Sequence, residues 1–172
     1  TSMYRALRAH LAAREGKNDE ALNWLKELSK ADRENPANMS IEYTLLSARR
    51  DERGVKRIVS RMEALAKKDA AFYSILAFHF NEVRQFKKAA AVCRRGLGAD
   101  AEDDFLKWQL AAALLNLKNF GEARRLAAEL KISCEDRKIK AYAHLIYAKA
   151  TMDSGDFEGS IEDFEAAVAL AI

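Results

Sequence analysis

The sequence is poor in proline, glycine and cysteine, and it lacks long hydrophobic runs. One proline and seven glycines among 172 residues leave little room for long loops. Alternating runs of β-branched residues are absent, which argues against a β-sheet. The apolar stretches are short and interrupted by charge, so no membrane-spanning helix is predicted. Because Ala, Leu, Glu, Lys and Arg dominate and 49% of the residues are hydrophobic, the composition predicts an all-α protein with a substantial core.

The two cysteines give no sign of a disulfide framework or a structural zinc site. Cys93 and Cys134 lie far apart and form neither a Cys-x-x-Cys pair nor a Cys/His ligand set. We expect Cys93 to lie in a helix and Cys134 in a connection between repeats. Reduced thiols slightly favour a cytoplasmic location.

The sequence also lacks the residue patterns of an enzyme. His10, His79 and His144 are isolated on separate predicted helices and have no metal-ligand spacing. The glycines form no phosphate-binding loop, and the acidic residues within 100–104 favour the start of the next helix. We therefore predict no catalytic residue, no metal site and no cofactor.

What the sequence does contain is a small residue that recurs every 34 positions. A fixed period of this length indicates stacked helical hairpins. The recurring residues are Ala21, Val55, Ala89 and Ala123. Apolar residues around them follow helical spacing. The predicted helices cover 2–15, 18–31, 37–50, 53–67, 70–82, 86–97, 103–117, 120–131, 136–153 and 157–171.

These residues resemble the tetratricopeptide repeat. The third copy matches its pattern at Tyr73, Leu76, Ala77, Phe80, Phe86 and Ala89; the fifth matches at Ala148, Gly155, Phe157, Phe164 and Ala167; the first matches at Gly16, Ala21 and Leu25. The resemblance implies an α-solenoid of antiparallel hairpins wound into a right-handed superhelix. It also implies a role in binding other proteins.

The repeats predict one continuous domain over 1–172, with a degenerate second copy and an irregular fifth. The repeats cover about 2–35, 36–69, 70–102, 103–135 and 136–172. The fifth anchor, Ser160, comes 37 residues after Ala123, so an extra turn must be absorbed near 131–137, and the helix before Asp153 should be longer. Because no polar capping helix follows the last apolar-faced helix, we expect the sequence to be a segment of a longer protein. The alternative is a complete chain whose last helix packs in a dimer.

The resemblance implies that the first helix of each hairpin lines a concave groove. Carried onto the third to fifth copies, the pattern places Ser74, Phe78, Asn81, Phe105, Trp108, Ala112, Leu115, Asn116, Tyr142, Leu145, Lys149 and Met152 there. Trp108 is the strongest candidate for a binding hot spot. If Trp108 lies in the groove, Trp108→Ala should leave folding nearly intact; if it lies in the core between repeats, the substitution should unfold the domain.

The groove residues favour an apolar ligand. Tetratricopeptide proteins that grip chaperone tails use Lys, Asn and Arg at these places, whereas here only Lys149 is basic. A hydrophobic peptide or an amphipathic helix fits better.

Charge is unevenly distributed despite a net charge of +3. Residues 49–95 contain thirteen Lys/Arg and five Asp/Glu, whereas 151–172 contain six Asp/Glu and no basic residue. A basic stripe is predicted at Arg49, Arg53, Arg57 and Arg61. Nucleic-acid binding by this stripe is disfavoured because no aromatic residues are interleaved for base stacking.

The sequence thus predicts a protein-binding scaffold or adaptor that is not an enzyme. Bacterial secretion, polysaccharide-export and regulatory assemblies are settings in which such segments occur. The alternatives are a module that self-associates head to tail, with the acidic last helix meeting the basic middle of another copy, and a helical-repeat RNA-binding module.

Overall fold

The computed structural model describes residues 1–153 and 155–171, and this part of the chain contains eleven helices and no strand. The predicted all-α helical-repeat fold is confirmed. The helices are α1 (Ser2–Arg14), α2 (Asn18–Lys26), α3 (Lys30–Arg33), α4 (Pro36–Ala48), α5 (Glu52–Leu65), α6 (Ala71–Glu82), α7 (Phe86–Leu97), α8 (Asp104–Asn116), α9 (Phe120–Ser133), α10 (Arg137–Asp153) and α11 (Glu158–Ala171).

Contacts between Cα atoms divide the chain into two compact units, Thr1–Phe72 and Tyr73–Ile172. In the first unit α1 packs on α2, α4 packs on α5, and both α1 and α2 touch α4. In the second unit each helix from α7 to α11 packs on the next one along the chain. The single continuous domain over 1–172 stays a prediction.

Side-chain caps fix where several helices begin. Asn35 accepts a hydrogen bond from the Ala37 amide, and Pro36 occupies the first helical position of α4, where its missing N–H costs nothing. Asp51 caps α5 and Asp103 caps α8 in the same way. Each cap satisfies an amide that the helix itself leaves unpaired.

Three of the four recurring small residues lie where helices approach closely, whereas Val55 of the degenerate second copy is only half-buried. Ala21, Ala89 and Ala123 are completely buried, as is Ala111 on the facing helix α8. A larger side chain at these positions would overpack the helix contact, at a cost of about 1–3 kcal/mol. The 34-residue period therefore records a packing requirement.

The prediction of one helix over 18–31 was wrong. The helix α2 ends at Lys26, and a separate short helix α3 begins at Lys30. Ser29 is the cause, because its hydroxyl accepts a hydrogen bond from the Asp32 amide at 3.2 Å and so starts a new helix.

The irregular spacing before the fifth copy is absorbed where it was expected. The helix α9 continues to Ser133, and Cys134 then turns the backbone into an extended conformation with ψ of 129°. The helix α10 follows and ends at Asp153 after 17 residues, which makes it the longest helix in the described ranges. Cys93 lies in α7, as predicted.

Candidate functional site

Three aromatic rings of the second unit form a continuous cluster across α8 and α10. The indole of Trp108 stacks on the ring of Tyr142, with centroids 4.8 Å apart and planes inclined by 15°. Phe105 meets the same indole edge to face at 5.3 Å. Such pairs stabilise by about 0.5–1.5 kcal/mol beyond the area that they bury. We call Phe105, Trp108 and Tyr142 the aromatic cluster.

Trp108 combines the two positions considered from the sequence. Its side chain packs against buried Leu130, Cys134 and Ala143. The indole is nevertheless only half-buried. Trp108 therefore contributes both to the core of the second unit and to the partly exposed aromatic cluster.

A cleft of about 660 Å³ lies beside the aromatic cluster, between α10 and α11. Its lining is mainly apolar, and two basic residues stand at the start of α10. Tyr142 belongs to both the aromatic cluster and the cleft, so the two features form one continuous surface. The lining consists of Arg137, Lys138, Ala141, Tyr142, Leu145, Phe164, Ala167, Val168, Leu170 and Ala171.

The large apolar residues predicted for the groove fall into two groups: Phe78, Tyr142 and Leu145 are exposed, whereas Phe105, Trp108, Leu115 and Met152 are half-buried. Phe78, Tyr142 and Leu145 are 41%, 39% and 41% exposed, which is high for apolar side chains of this size. Among the smaller and polar ones, Asn116 and Lys149 are exposed, while Ser74 and Ala112 are half-buried.

Asn81 has a structural partner. Its amide nitrogen donates to the backbone oxygen of Gln109 at 2.9 Å and to Oε1 of Gln109 at 2.8 Å. These bonds tie α6 to α8. The amide nitrogen of Asn81 is thus occupied within the second unit.

The α11 side of the cleft was missed by the sequence interpretation. Phe164 was assigned only to the repeat pattern, and Val168 was given no role, yet both line the cleft. Ile161, Phe164 and Val168 follow one another at i, i+3 and i+7, and Ile161 and Val168 are more than half exposed. This second apolar stripe was the available signal, because a helix with two apolar faces has more apolar surface than one contact can bury.

The arginines predicted as a basic stripe are not equivalent. Arg49 lies just beyond the end of α4 and forms an ion pair with Asp19. Arg53, Arg57 and Arg61 lie on α5. Arg49, Arg57 and Arg61 line a second, polar cavity, whereas Arg53 is exposed outside it.

A buried carboxylate joins the last three helices. Asp163 on α11 is 8% exposed. It forms an ion pair with Lys131 of α9 and lies 2.7 Å from Nδ1 of His144 on α10. Lys131 also lies 4.0 Å from the centre of the Tyr147 ring. The contacts of Asp163 with Lys131 and His144 therefore hold α9, α10 and α11 together.

The thiols of both cysteines, Cys93 and Cys134, are buried. Burial raises the pKa of the Cys93 thiol to about 12, and burial also raises the pKa of the Cys134 thiol. Within residues 1–153 and 155–171, no three His, Cys, Asp or Glu side chains come together as metal ligands. None of the helices in these ranges has both the length and the apolar character to cross a bilayer.

Comparison with known proteins bears on the fold. No family model and no curated protein matches the sequence. Solved structures do match. MamA from AMB-1 has a TM-score of 0.76 at 17% identity over 98% of both chains. MamA from Desulfovibrio magneticus RS-1 has a TM-score of 0.76 at 17% identity over 99% of this chain and 94% of that one. At such identities the likeness shows that this chain shares the all-helical repeat fold of MamA.

Proposed function

We propose that this protein is a non-enzymatic scaffold that binds an amphipathic helix of a partner protein. The aromatic cluster and the adjoining cleft of the second unit form the binding surface. The observation that carries the proposal is the position of Tyr142, which stacks on Trp108 and also lines the cleft. A continuous apolar surface of this kind is suited to the apolar face of a helix.

The apolar lining of the cleft and its two basic residues suit an amphipathic helix. Binding of an extended peptide by addition to a sheet edge has no counterpart here, because the described residues contain no strand. Arg137 and Lys138 stand at one end of the lining. An acidic residue that flanks the apolar anchors of the partner would meet these charges, which sets the direction of binding.

Peptide selection tests the proposal and requires no identified partner. A displayed library of helical peptides is selected on the wild-type protein, and affinities are measured by fluorescence anisotropy. Selected peptides should carry apolar anchors at i, i+3 or i+4, and i+7. Leu145→Glu should weaken their binding at least about tenfold, because it places a charge in the cleft.

The matched control is Ile132→Glu. Ile132 is 85% exposed on α9 and lies outside the cleft lining, so this variant should retain wild-type affinity. Equal losses in Leu145→Glu and Ile132→Glu, or the absence of anchor-bearing peptides, would refute the proposal.

A second copy of the chain is the alternative occupant. The helix α1 exposes Met3, Leu7 and Leu11, by 84%, 67% and 44%, along one face. The charged residues of α1 are all arginines, whereas those of α11 are all Asp or Glu. A face of this kind could enter the cleft of another copy and give head-to-tail association.

Sedimentation velocity separates the two occupants. Self-association predicts oligomers that Leu7→Glu and Leu145→Glu both dissociate. If the occupant is a separate protein, the wild type stays monomeric and Leu7→Glu does not change the affinity for selected peptides.

A further inference from the structure

The first unit contains a small cavity of about 230 Å³ bordered by α2, α3, α4 and α5. Five of the residues around it are basic and two are acidic. Buried leucines of α2 and α4 form its apolar part. The complete lining is Leu22, Leu25, Lys26, Arg33, Glu42, Leu46, Arg49, Asp51, Arg57 and Arg61.

Two of the charged residues are already engaged. Arg49 forms an ion pair with Asp19, which lies outside the lining. The carboxylate of Asp51 accepts a hydrogen bond from the Gly54 amide at 2.9 Å and so caps α5. The charge of Arg49 is thus offset by Asp19, whereas Asp51 keeps its negative charge, because an amide hydrogen bond does not neutralise a carboxylate.

The other four basic side chains lack such partners. Across 1–153 and 155–171, Lys26, Arg33, Arg57 and Arg61 form no ion pair and no side-chain hydrogen bond. Among the described residues, the carboxylates of Glu42 and Asp51 in the lining offset half of these four charges. Lys26, Arg33 and Arg57 are exposed and Arg61 is half-buried, so water screens part, but not all, of the repulsion between these like charges. An anion in the cavity would relieve this repulsion.

We propose that this cavity binds a small ligand through a phosphate group. Guanidinium groups donate parallel pairs of hydrogen bonds to phosphate, and Arg33, Arg57 and Arg61 can supply them from two helices. A phosphate dianion matches the excess of positive charge better than a single carboxylate does. The volume admits a phosphate with a small substituent and excludes a folded macromolecule.

The helix α5 supplies a matched pair of variants. Arg57→Gln with Arg61→Gln removes two charges from the cavity. Arg53→Gln with Lys56→Gln removes two charges from exposed positions of the same helix that lie outside the lining. Both double variants lower the net charge equally, so any difference between them reports on the cavity and not on the general field of the protein.

Isothermal titration calorimetry at constant ionic strength is the test, with inorganic pyrophosphate and O-phosphoserine as probes. The wild type should bind at least one probe at a single site; binding of both would show recognition of the phosphate itself. The cavity variant should weaken this binding at least about tenfold, and the exposed variant less than about twofold. Glutamate, which offers only carboxylates, should bind more weakly than O-phosphoserine.

Three results of the titrations would overturn the proposal. They are no saturable binding of either phosphate probe, equal weakening in both double variants, and binding of glutamate as tight as that of O-phosphoserine. Binding of single-stranded RNA to the wild type, with an equal loss of affinity in both double variants, would also reject the proposal, because it would indicate that the whole basic stripe binds nucleic acid.

If the glutamine variant of the cavity fails to fold, as judged by circular dichroism, Arg57→Lys with Arg61→Lys replaces it. This variant keeps the charge and removes the paired donors. It should weaken phosphate binding by a smaller factor, and unchanged binding would contradict the proposed contacts.

Discussion

The rings of Trp108 and Tyr142 stack across two neighbouring helices with their centroids 4.8 Å apart. Trp108 also packs on Leu130, Cys134 and Ala143, whereas Tyr142 is 39% exposed. The stack thus joins the core of the second unit to its surface. One of its members supports the fold, and the other is available for contact with a partner.

The two rings should respond differently to truncation. Trp108→Ala should lower the free energy of unfolding by about 3 kcal/mol, because it opens a cavity against the buried residues. Tyr142→Ala should cost about 1 kcal/mol, chiefly the stacking contribution. Urea denaturation followed by circular dichroism measures both. Trp108→Phe should lower the free energy of unfolding much less than Trp108→Ala does. An unchanged free energy of unfolding in Trp108→Ala would show that the indole is not part of the core.

Asp163 should be essential to the packing of the last three helices. Asp163→Asn leaves Lys131 without its buried counter-charge, so we expect a loss of about 3 kcal/mol in unfolding free energy. Glu162→Gln is the control, since Glu162 is the exposed neighbour on the same helix, and it should change stability by less than about 0.5 kcal/mol. Similar thermal midpoints for the two variants would show that the buried cluster contributes little.

The repeat period allowed the helices to be predicted because it reflects a local packing rule. Ala21, Ala89 and Ala123 must be small wherever two helices cross closely, and all three are fully buried. The break at Ser29 was missed because a serine starts a new helix only if its hydroxyl finds the amide three residues on. That choice depends on neighbouring helices as well as on local sequence.

The candidate surfaces were harder to predict than the helices. Phe78 and Leu145 were assigned to the groove from the register of the tetratricopeptide resemblance, and both are exposed. The role of Asn81 depends on Gln109, which is 28 positions away in the chain. The cavity beside Arg57 likewise depends on residues of four helices, and no single helix pattern specifies how these meet.

Lys107 should make stability depend on pH in the alkaline range. The hydrogen bond to Glu129 at 2.6 Å, together with Glu102, raises the pKa of Lys107 above its ordinary value of 10.5. The folded protein therefore keeps a proton that the unfolded chain releases. The stabilisation is complete below pH 10.5 and is lost as the pH rises through the higher folded pKa.

Urea denaturation between about pH 9.5 and 11.5 checks this dependence. In Glu129→Gln the unfolding free energy should be lower at the start of this range and should fall less steeply across it, because the main cause of the raised pKa is gone. Other lysines and tyrosines titrate in both proteins, so the difference between the two curves isolates Lys107. Parallel curves would show that Glu129 does not stabilise the charged form.

Cys93 should react with thiol reagents only when the protein unfolds. Burial raises its pKa to about 12, so at pH 8 roughly one thiol in ten thousand is ionised, and the thiolate is the reactive form. The side chain is also fully enclosed. Iodoacetamide labelling followed by mass spectrometry should be negligible in buffer and rise with the unfolded fraction in urea. Ser60→Cys, at an exposed position of α5, should be labelled in the native protein. Native labelling of Cys93 at the Ser60→Cys rate would mean that α7 opens without global unfolding, because no rearrangement of the side chain alone can expose a thiol packed at a helix contact.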